Sequence, residues 1–335
     1  MAEIGIIGSG SWGIALAVLL HNNGHHVTVW SAIEAEITAL KENRKLKTLP
    51  ELTVPETMEF TADLETAMKD KAVLVTAVPS IYVRQTAARM RPFCREGQIV
   101  VNVAKGIEEA TLMTLSQILK EELPMAEIAV LSGPSHAEEV SRGLPTTCVA
   151  GAEKKETAQL IQNLFMSPVF RVYISPDVEG IEIGGALKNV IALAAGIADG
   201  LGCGDNTKAA LITRGIYEIA RLGMAMGGKF ETFCGLTGIG DLIVTCASIH
   251  SRNRRAGILI GQGASMEEAM DQVQMVVEGV YSAKAGLALS EKYNIPMPII
   301  QQVNQVLFEG KPASEALEDL MLRDKTAESQ TLSWE

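Results

Sequence analysis

Apolar positions follow two different rhythms along this chain, and the change falls near residue 175. In the first half, short β-branched runs alternate with stretches of helical period. Glu3–Ile7, Val27–Trp30, Ala72–Val78, Ile99–Ala104, Ile128–Leu131 and Thr146–Ala150 have the length and composition of strands. Apolar spacing predicts helices over Trp12–Asn22, Ile33–Glu42, Ile81–Met90 and Leu112–Leu123. Such alternation predicts an α/β, doubly wound and mainly parallel sheet.

After Tyr173 the β-branched runs fade, and from Gly180 onward Ala, Gly, Leu and Met recur at helical spacing. This predicts an all-α C-terminal domain. We expect a boundary near 175–182, giving one region over 1–179 and a helical one over 180–335. No Gly/Ser-rich linker separates them, so the two regions are expected to pack tightly.

One helix in that second region breaks the pattern. The stretch EIGGALKNVIALAAGIADG, 182–200, is apolar nearly all round except for Lys188 and Asn189. A helix of that kind is buried, and a buried ammonium is costly unless paired. One turn away from Lys188 lie Gly184, Gly185, Ile191 and Ala192, so the ammonium is expected to face a gap that a substrate could fill. The plainer alternative is a lysine whose stem packs on apolar surface while its head reaches water.

Composition narrows the field. The 335 residues are 47% hydrophobic and 21% charged, as in a globular protein. A net charge of −11 speaks against broad nucleic-acid binding or an anionic membrane surface. An anionic substrate would need cations gathered locally. The five cysteines, at 94, 148, 203, 234 and 246, form no C-x-x-C pair, which suits free thiols in a reducing compartment. The five histidines lack ligand spacing, so no metal site is expected. No leader-like segment opens the sequence, and the longest apolar stretch, around 190–198, is about half of the ~20 residues a bilayer requires. These features predict a cytoplasmic chain without an integral membrane segment.

Chemistry concentrates in a few motifs. IGIIGSGSWG, 4–13, places Gly8, Gly10 and Gly13 in a G-x-G-x-x-G pattern between a strand and a helix. There Gly8 makes the tight turn, Gly10 admits a pyrophosphate and Gly13 lets helix and strand approach. The ribose-binding acid expected ~20 residues on is missing at its usual place, which Trp30 and Ser31 occupy; Glu34 is the nearest acid. No Arg or His stands ready for a 2′-phosphate, so the choice between NAD and NADP stays open.

Lys105, in VAKG, follows the fourth predicted strand at the carboxyl end of the sheet, where open α/β folds bind ligands. SGPSHAEEV, 132–140, offers small hydroxyls and backbone N–H groups for an anion; its Ser135 and Glu138 also have capping-box spacing. Asp241 in GIGDLIVT suits either a helix cap or a site. SRNRR, 251–255, puts three arginines into five residues of an acidic protein, either a solvated turn or a seat for phosphate.

Taken in order, GSGSWG, VAKG, SGPSHAEE, GGALKNVIALAAGIADG, ALITRG, GIGD, SRNRR and VVEG (276–279) resemble the bacterial-type NAD(P)-dependent glycerol-3-phosphate dehydrogenase family. The resemblance implies a Rossmann-type N-terminal domain and reversible reduction of dihydroxyacetone phosphate to sn-glycerol 3-phosphate for glycerophospholipid synthesis. It implies that Lys188 is the proton donor and acceptor. Lys105, Gly133, Ser135, Asp241, Ser251, Arg252 and Asn253 would join it around the substrate. Ser11, Trp12, Lys105, Ala137, Arg252, Val276 and Glu278 would join the loop glycines on NAD or NADP. Ala32 departs from the family, which often carries a basic residue there. A homodimer is a further expectation. Two rivals are a dehydrogenase of another hydroxy acid and a dinucleotide sensor without catalysis; the sensor would have no need of Lys188 or SRNRR.

Overall fold

The computed structural model describes residues 1–328; the end of the expected helical region, 329–335, lies outside the described residues. The first half runs β1 (Glu3–Ile7), α1 (Ser11–Asn22), β2 (His26–Trp30), α2 (Glu34–Asn43), β3 (Glu59–Thr61) and α3 (Leu64–Met68). It continues with β4 (Val73–Thr76), α4 (Val83–Met90), β5 (Ile99–Asn102), α5 (Leu115–Glu122), β6 (Glu127–Ser132) and α6 (Ala137–Val140). Then come β7 (Thr146–Ala152), α7 (Lys155–Phe165) and β8 (Phe170–Ser175).

These strands form one sheet in the order β3-β2-β1-β4-β5-β6-β7-β8. The first six pair in parallel, β7 runs antiparallel to β6, and β8 is parallel to β7. Near-continuous Ile and Val runs suit strands covered on both faces, and both faces are packed. One carries Ile4, Ile6 and Val75 under α1 and α7; the other carries Ile7, Leu74 and Val100 under α4 and α5.

The sequence pattern omits two strands, β3 and β8, and two helices, α7 and the five-residue α3. β3 has three residues, too few for an alternation to register. β8, FRVYIS, does alternate, with Phe170 and Val172 buried and Arg171 and Tyr173 exposed. α7 buries Thr157, Ala158, Ile161 and Phe165 along one face. With β3 counted, Lys105 follows the fifth strand rather than the fourth.

The rest is helical: α8 (Val178–Gly200), α9 (Asp205–Ala225), α10 (Phe230–Phe233), α11 (Asp241–Ala247) and α12 (Arg252–Gly261). After them come α13 (Met266–Val273), α14 (Glu278–Tyr293), α15 (Pro298–Phe308) and α16 (Ala313–Met321). A π-helical turn, Leu236–Gly240, leads into α11.

α8 is the axis of this half. It is long and apolar enough to span a bilayer, longer than its apolar run alone suggested, but that window is wholly buried inside the protein. The second stretch of such length, Phe230–Ala247, is interrupted by the π turn and less buried. α12 crosses α8 with backbones almost touching. A Cβ on Gly196 would lie 2.1 Å from the Arg254 carbonyl oxygen, and one on Gly257 would lie 2.2 Å from that of Leu193. Only glycine permits this approach. The crossing fixes the start of α12, with Arg252 and Asn253, beside the Lys188 segment.

Candidate active site

The glycine loop has the geometry its pattern predicts. Gly8 sits at φ +128°, closed to L side chains, and makes the turn out of β1. A Cβ on Gly13 would come within 2.3 Å of the Gly8 carbonyl oxygen, so this glycine lets α1 fold back on the loop. A Cβ on Gly10 would meet nothing within 4 Å, leaving open space before the N-terminus of α1. No side chain caps that helix, so its first N–H groups face the space where an anion is favoured. Ser11 Oγ lies 2.6 Å from Thr48 Oγ1, and Trp12 is half-buried against the core. The loop fits a dinucleotide pyrophosphate.

On α8, Lys188 is buried and its charge is paired. Its Nζ donates to Asp241 Oδ1 at 2.7 Å and to Thr245 Oγ1 at 2.6 Å. Lys105 Nζ donates to the second carboxylate oxygen of Asp241 at 2.7 Å and to the Gly133 carbonyl at 2.9 Å. Asp241 thus joins a lysine from the end of the sheet to a lysine from α8. Burial lowers the Lys188 pKa to about 8, with Lys105 assisting and Asp241 opposing. Burial disfavours the Asp241 carboxylate, but the two ammoniums outweigh it and hold the group below its ordinary range.

The two glycines before Lys188 serve a different purpose from the expected gap. A Cβ on Gly184 would meet the Thr237 carbonyl oxygen at 2.8 Å; one on Gly185 would meet Ser132 Oγ at 3.2 Å and the Lys105 stem at 3.5 Å. Gly184 therefore admits the π turn that presents Asp241, and Gly185 admits Lys105. The space is filled by Thr237, Ser132 and the Lys105 stem.

Around this centre the other candidates fall into distinct surroundings. Ser135 Oγ donates to the Gly133 carbonyl at 2.9 Å. It does not cap α6, whose N-cap is His136 without a side-chain bond, so the capping-box spacing is not used. Gly133 itself sits at φ +143°. Ala137 is buried at the start of α6, which packs on α1.

The arginine cluster divides. Ser251 caps α12 by accepting from the Arg254 N–H at 3.2 Å. Asn253 donates to Asn189 Oδ1 at 2.9 Å and accepts from the Gly279 N–H at 2.8 Å, tying α8, α12 and α14 together. Arg254 pairs with Asp199 at 2.8 Å, and Arg255 is exposed. Arg252, half-buried, has no hydrogen bond or ion pair among the described residues. Of the three arginines it alone combines partial burial with a guanidinium left for a ligand.

Val276 is half-buried just before α14. Glu278, at the start of α14, accepts from the Ser80 N–H at 3.1 Å and from the Ser80 hydroxyl. This contact ties the loop after β4 to the helical half.

Several residues of this region escaped the sequence pattern. Thr245 is one helical turn beyond Asp241, a spacing that marks it as its neighbour on α11. Glu182 lies six residues before Lys188 on α8 and is buried. It accepts from Ser116 N at 2.9 Å and Ser116 Oγ at 2.5 Å, so it fastens α8 to α5. Asn102 clasps Ala104, donating to its carbonyl at 3.0 Å and accepting from its N–H at 3.2 Å, and so shapes the loop bearing Lys105. Asn189, whose role the pattern left open, is the acceptor for Asn253.

A glycine turn opening on an uncapped helix, together with a buried lysine paired to Asp241, suits a nicotinamide-dependent dehydrogenase, and the chain falls in that class. Residues 3–158 match the family model for the NAD-dependent glycerol-3-phosphate dehydrogenase N-terminus, and 177–318 match that for its C-terminus. Glycerol-3-phosphate dehydrogenase [NAD(P)+] of Agathobacter rectalis is 62% identical over 335 residues, covering all of both chains. Its counterpart from Fusobacterium nucleatum is 60% identical over 337 residues, again covering both chains fully. The crystal structure of glycerol-3-phosphate dehydrogenase from Coxiella burnetii superposes with a TM-score of 0.91 at 35% identity, covering 96% of this chain and 99% of that one. The chain belongs to the NAD(P)-dependent glycerol-3-phosphate dehydrogenase family, and its activity is that of an oxidoreductase acting on a CH–OH group.

Proposed function

We propose that the chain interconverts dihydroxyacetone phosphate and sn-glycerol 3-phosphate with Lys188 as its proton-transfer residue. The observation that carries this reading is the pair of 2.7 Å bonds from Asp241 to Lys188 and Lys105. When bound, the nicotinamide supplies a hydride to the C2 carbonyl carbon or takes it back. In reduction the carbonyl oxygen gains negative charge as the C–H bond forms, and Lys188 Nζ delivers the proton that makes it a hydroxyl. In oxidation neutral Lys188 removes that proton. With a pKa of about 8, both forms are accessible near neutrality. Lys105 favours the developing alkoxide electrostatically, and Asp241 holds both lysines in place.

Arg252, at the N-terminus of α12, receives the substrate phosphate, and Gly133, Ser135, Ser251 and Asn253 shape the pocket around it. Gly8, Gly10, Ser11, Trp12 and Gly13 hold the cofactor pyrophosphate, with Lys105, Ala137, Arg252, Val276 and Glu278 along the rest of the dinucleotide. The division at 179/180 belongs to this reading: one part carries the glycine loop, the other the proton-transfer lysine. So do a cytoplasmic location and delivery of the product to glycerophospholipid synthesis, with a homodimer as the assembly to test for.

The test is the loss of NADH absorbance with dihydroxyacetone phosphate in the native chain and in Lys188→Ala. Removing a general acid costs about 10²- to 10⁴-fold in turnover, and NADH affinity should hardly change. Near-native turnover in that variant would overturn the assignment.

A further inference from the structure

The sequence leaves the adenosine end of the cofactor site without its usual acid, but the fold supplies one. Glu36, in the first turn of α2, reaches back to the end of β2. Its Oε2 accepts from Ser9 Oγ in the glycine loop at 2.5 Å and from Ser31 Oγ, just past β2, at 2.7 Å. Both serines are buried, at 7% and 5% exposure, whereas Glu36 is exposed. Oε1 has no hydrogen bond among the described residues. One carboxylate oxygen is therefore anchored by two buried hydroxyls and the other is left toward solvent, between the glycine loop and the end of β2.

That is where the adenosine ribose lies in a sheet of this topology. Glu34 shares the same helical turn and Ala32 adds no cation, while exposed Lys47 precedes Thr48, whose hydroxyl meets Ser11 of the loop. Arg44, at the other end of α2, is turned away, donating to the carbonyls of Pro55 and Met58 at 3.2 and 2.9 Å.

We propose that Glu36 is the ribose-recognising residue of this chain, accepting from the 2′-hydroxyl through Oε1 and repelling a 2′-phosphate, so that NAD(H) is preferred over NADP(H). The inference rests on the reading of residues 8–13 as the cofactor loop. In Glu36→Gln an amide oxygen still accepts from the two serines, while the charge and the second acceptor are lost.

The experiment titrates NADH and NADPH fluorescence against the protein without substrate, then repeats the comparison as kcat/KM for each cofactor. The native chain should bind NADH at least about tenfold more tightly, since the Glu36 carboxylate sets a like charge against a 2′-phosphate. Glu36→Gln should narrow the ratio about tenfold, with NADPH gaining and NADH losing affinity. Ala32→Arg, which leaves both serine contacts alone, should strengthen NADPH and spare NADH. Equal or tighter NADPH binding by the native chain overturns the proposal, as does a tight NADPH complex that depends on exposed Lys47. Equal weakening of both cofactors in Glu36→Gln would make Glu36 only a prop for the loop, and overturns it too. Unchanged binding of both cofactors in Gly10→Val would instead refute the loop reading beneath it.

Discussion

Asp241 and Lys188 meet at 2.7 Å where their side chains are only 2% and 6% exposed. A buried pair of this kind stands or falls together, because removing one partner strands the other's charge. Asp241→Asn should lower the Lys188 pKa further, since the carboxylate opposes the downward pull of burial and of Lys105. The reductive direction uses protonated Lys188, so its rate declines as pH rises through the lysine pKa, about 8 in the native chain. In Asp241→Asn that decline should begin at lower pH. The pH profile of kcat for dihydroxyacetone phosphate reduction checks this, and an unmoved limb would separate Asp241 from the proton chemistry.

Among the described residues Arg252, unlike Arg254, has no side-chain partner, and unlike Arg255 it is half-buried. A hydrogen bond to a charged group is worth about 1.5–3 kcal/mol, so Arg252→Ala should raise the KM for dihydroxyacetone phosphate by roughly ten- to hundredfold. Unphosphorylated dihydroxyacetone should be used equally poorly by both proteins. Arg254→Ala should act mainly through stability, because it breaks the bond to Asp199. Comparable KM effects from the two substitutions would contradict this division of labour.

Away from the site, Glu218 on α9 accepts from the Ile299 N–H with both oxygens, at 3.1 and 3.2 Å, at the start of α15. Burial pushes its pKa up to about 7. An unfolded glutamate titrates near ~4.3, so between these values the folded protein holds more protons than the unfolded one. Stability from this group is present at low pH and is lost as pH rises toward 7. Thermal melts should therefore show the Tm advantage of Glu218→Gln over the native chain growing from pH 5 to pH 8. A difference independent of pH would argue against this titration.

Packing supplies another test. In Gly196→Ala the new methyl group would strike the Arg254 carbonyl. Overpacking of this kind costs about 1–3 kcal/mol, and the displaced element would be α12. Gly196→Ala should lower Tm and also raise the substrate KM. A drop in Tm with native KM would mean that the crossing stabilises the fold without positioning Arg252.

Much of this molecule is legible in its residue pattern. The alternation of strands and helices marks out the sheet, and the glycine spacing marks the tight turn between β1 and α1. What the pattern misses has physical causes. β3 is too short to show a period, and a strand such as β7 carries no mark in its own residues of running antiparallel. Lys188 advertises itself by being charged in an apolar helix. Its true partners are Asp241 and Thr245 on α11, and no local rule predicts which chain segment fills the space above Gly184. Glu36 is hidden for a related reason. The expected acid lies on the strand, whereas here a helical side chain folds back to the same place.

The crossing of α8 and α12 also limits how this protein can be improved. Replacing helical glycines by alanine is a common route to stabilisation, because it stiffens the unfolded chain and favours the helix. Along this seam that route is closed: at Gly196, Gly200, Gly257 and Gly261 the added carbon would come within about 2.1–2.3 Å of a facing carbonyl oxygen. Gains in heat resistance must be sought on faces that leave this contact alone.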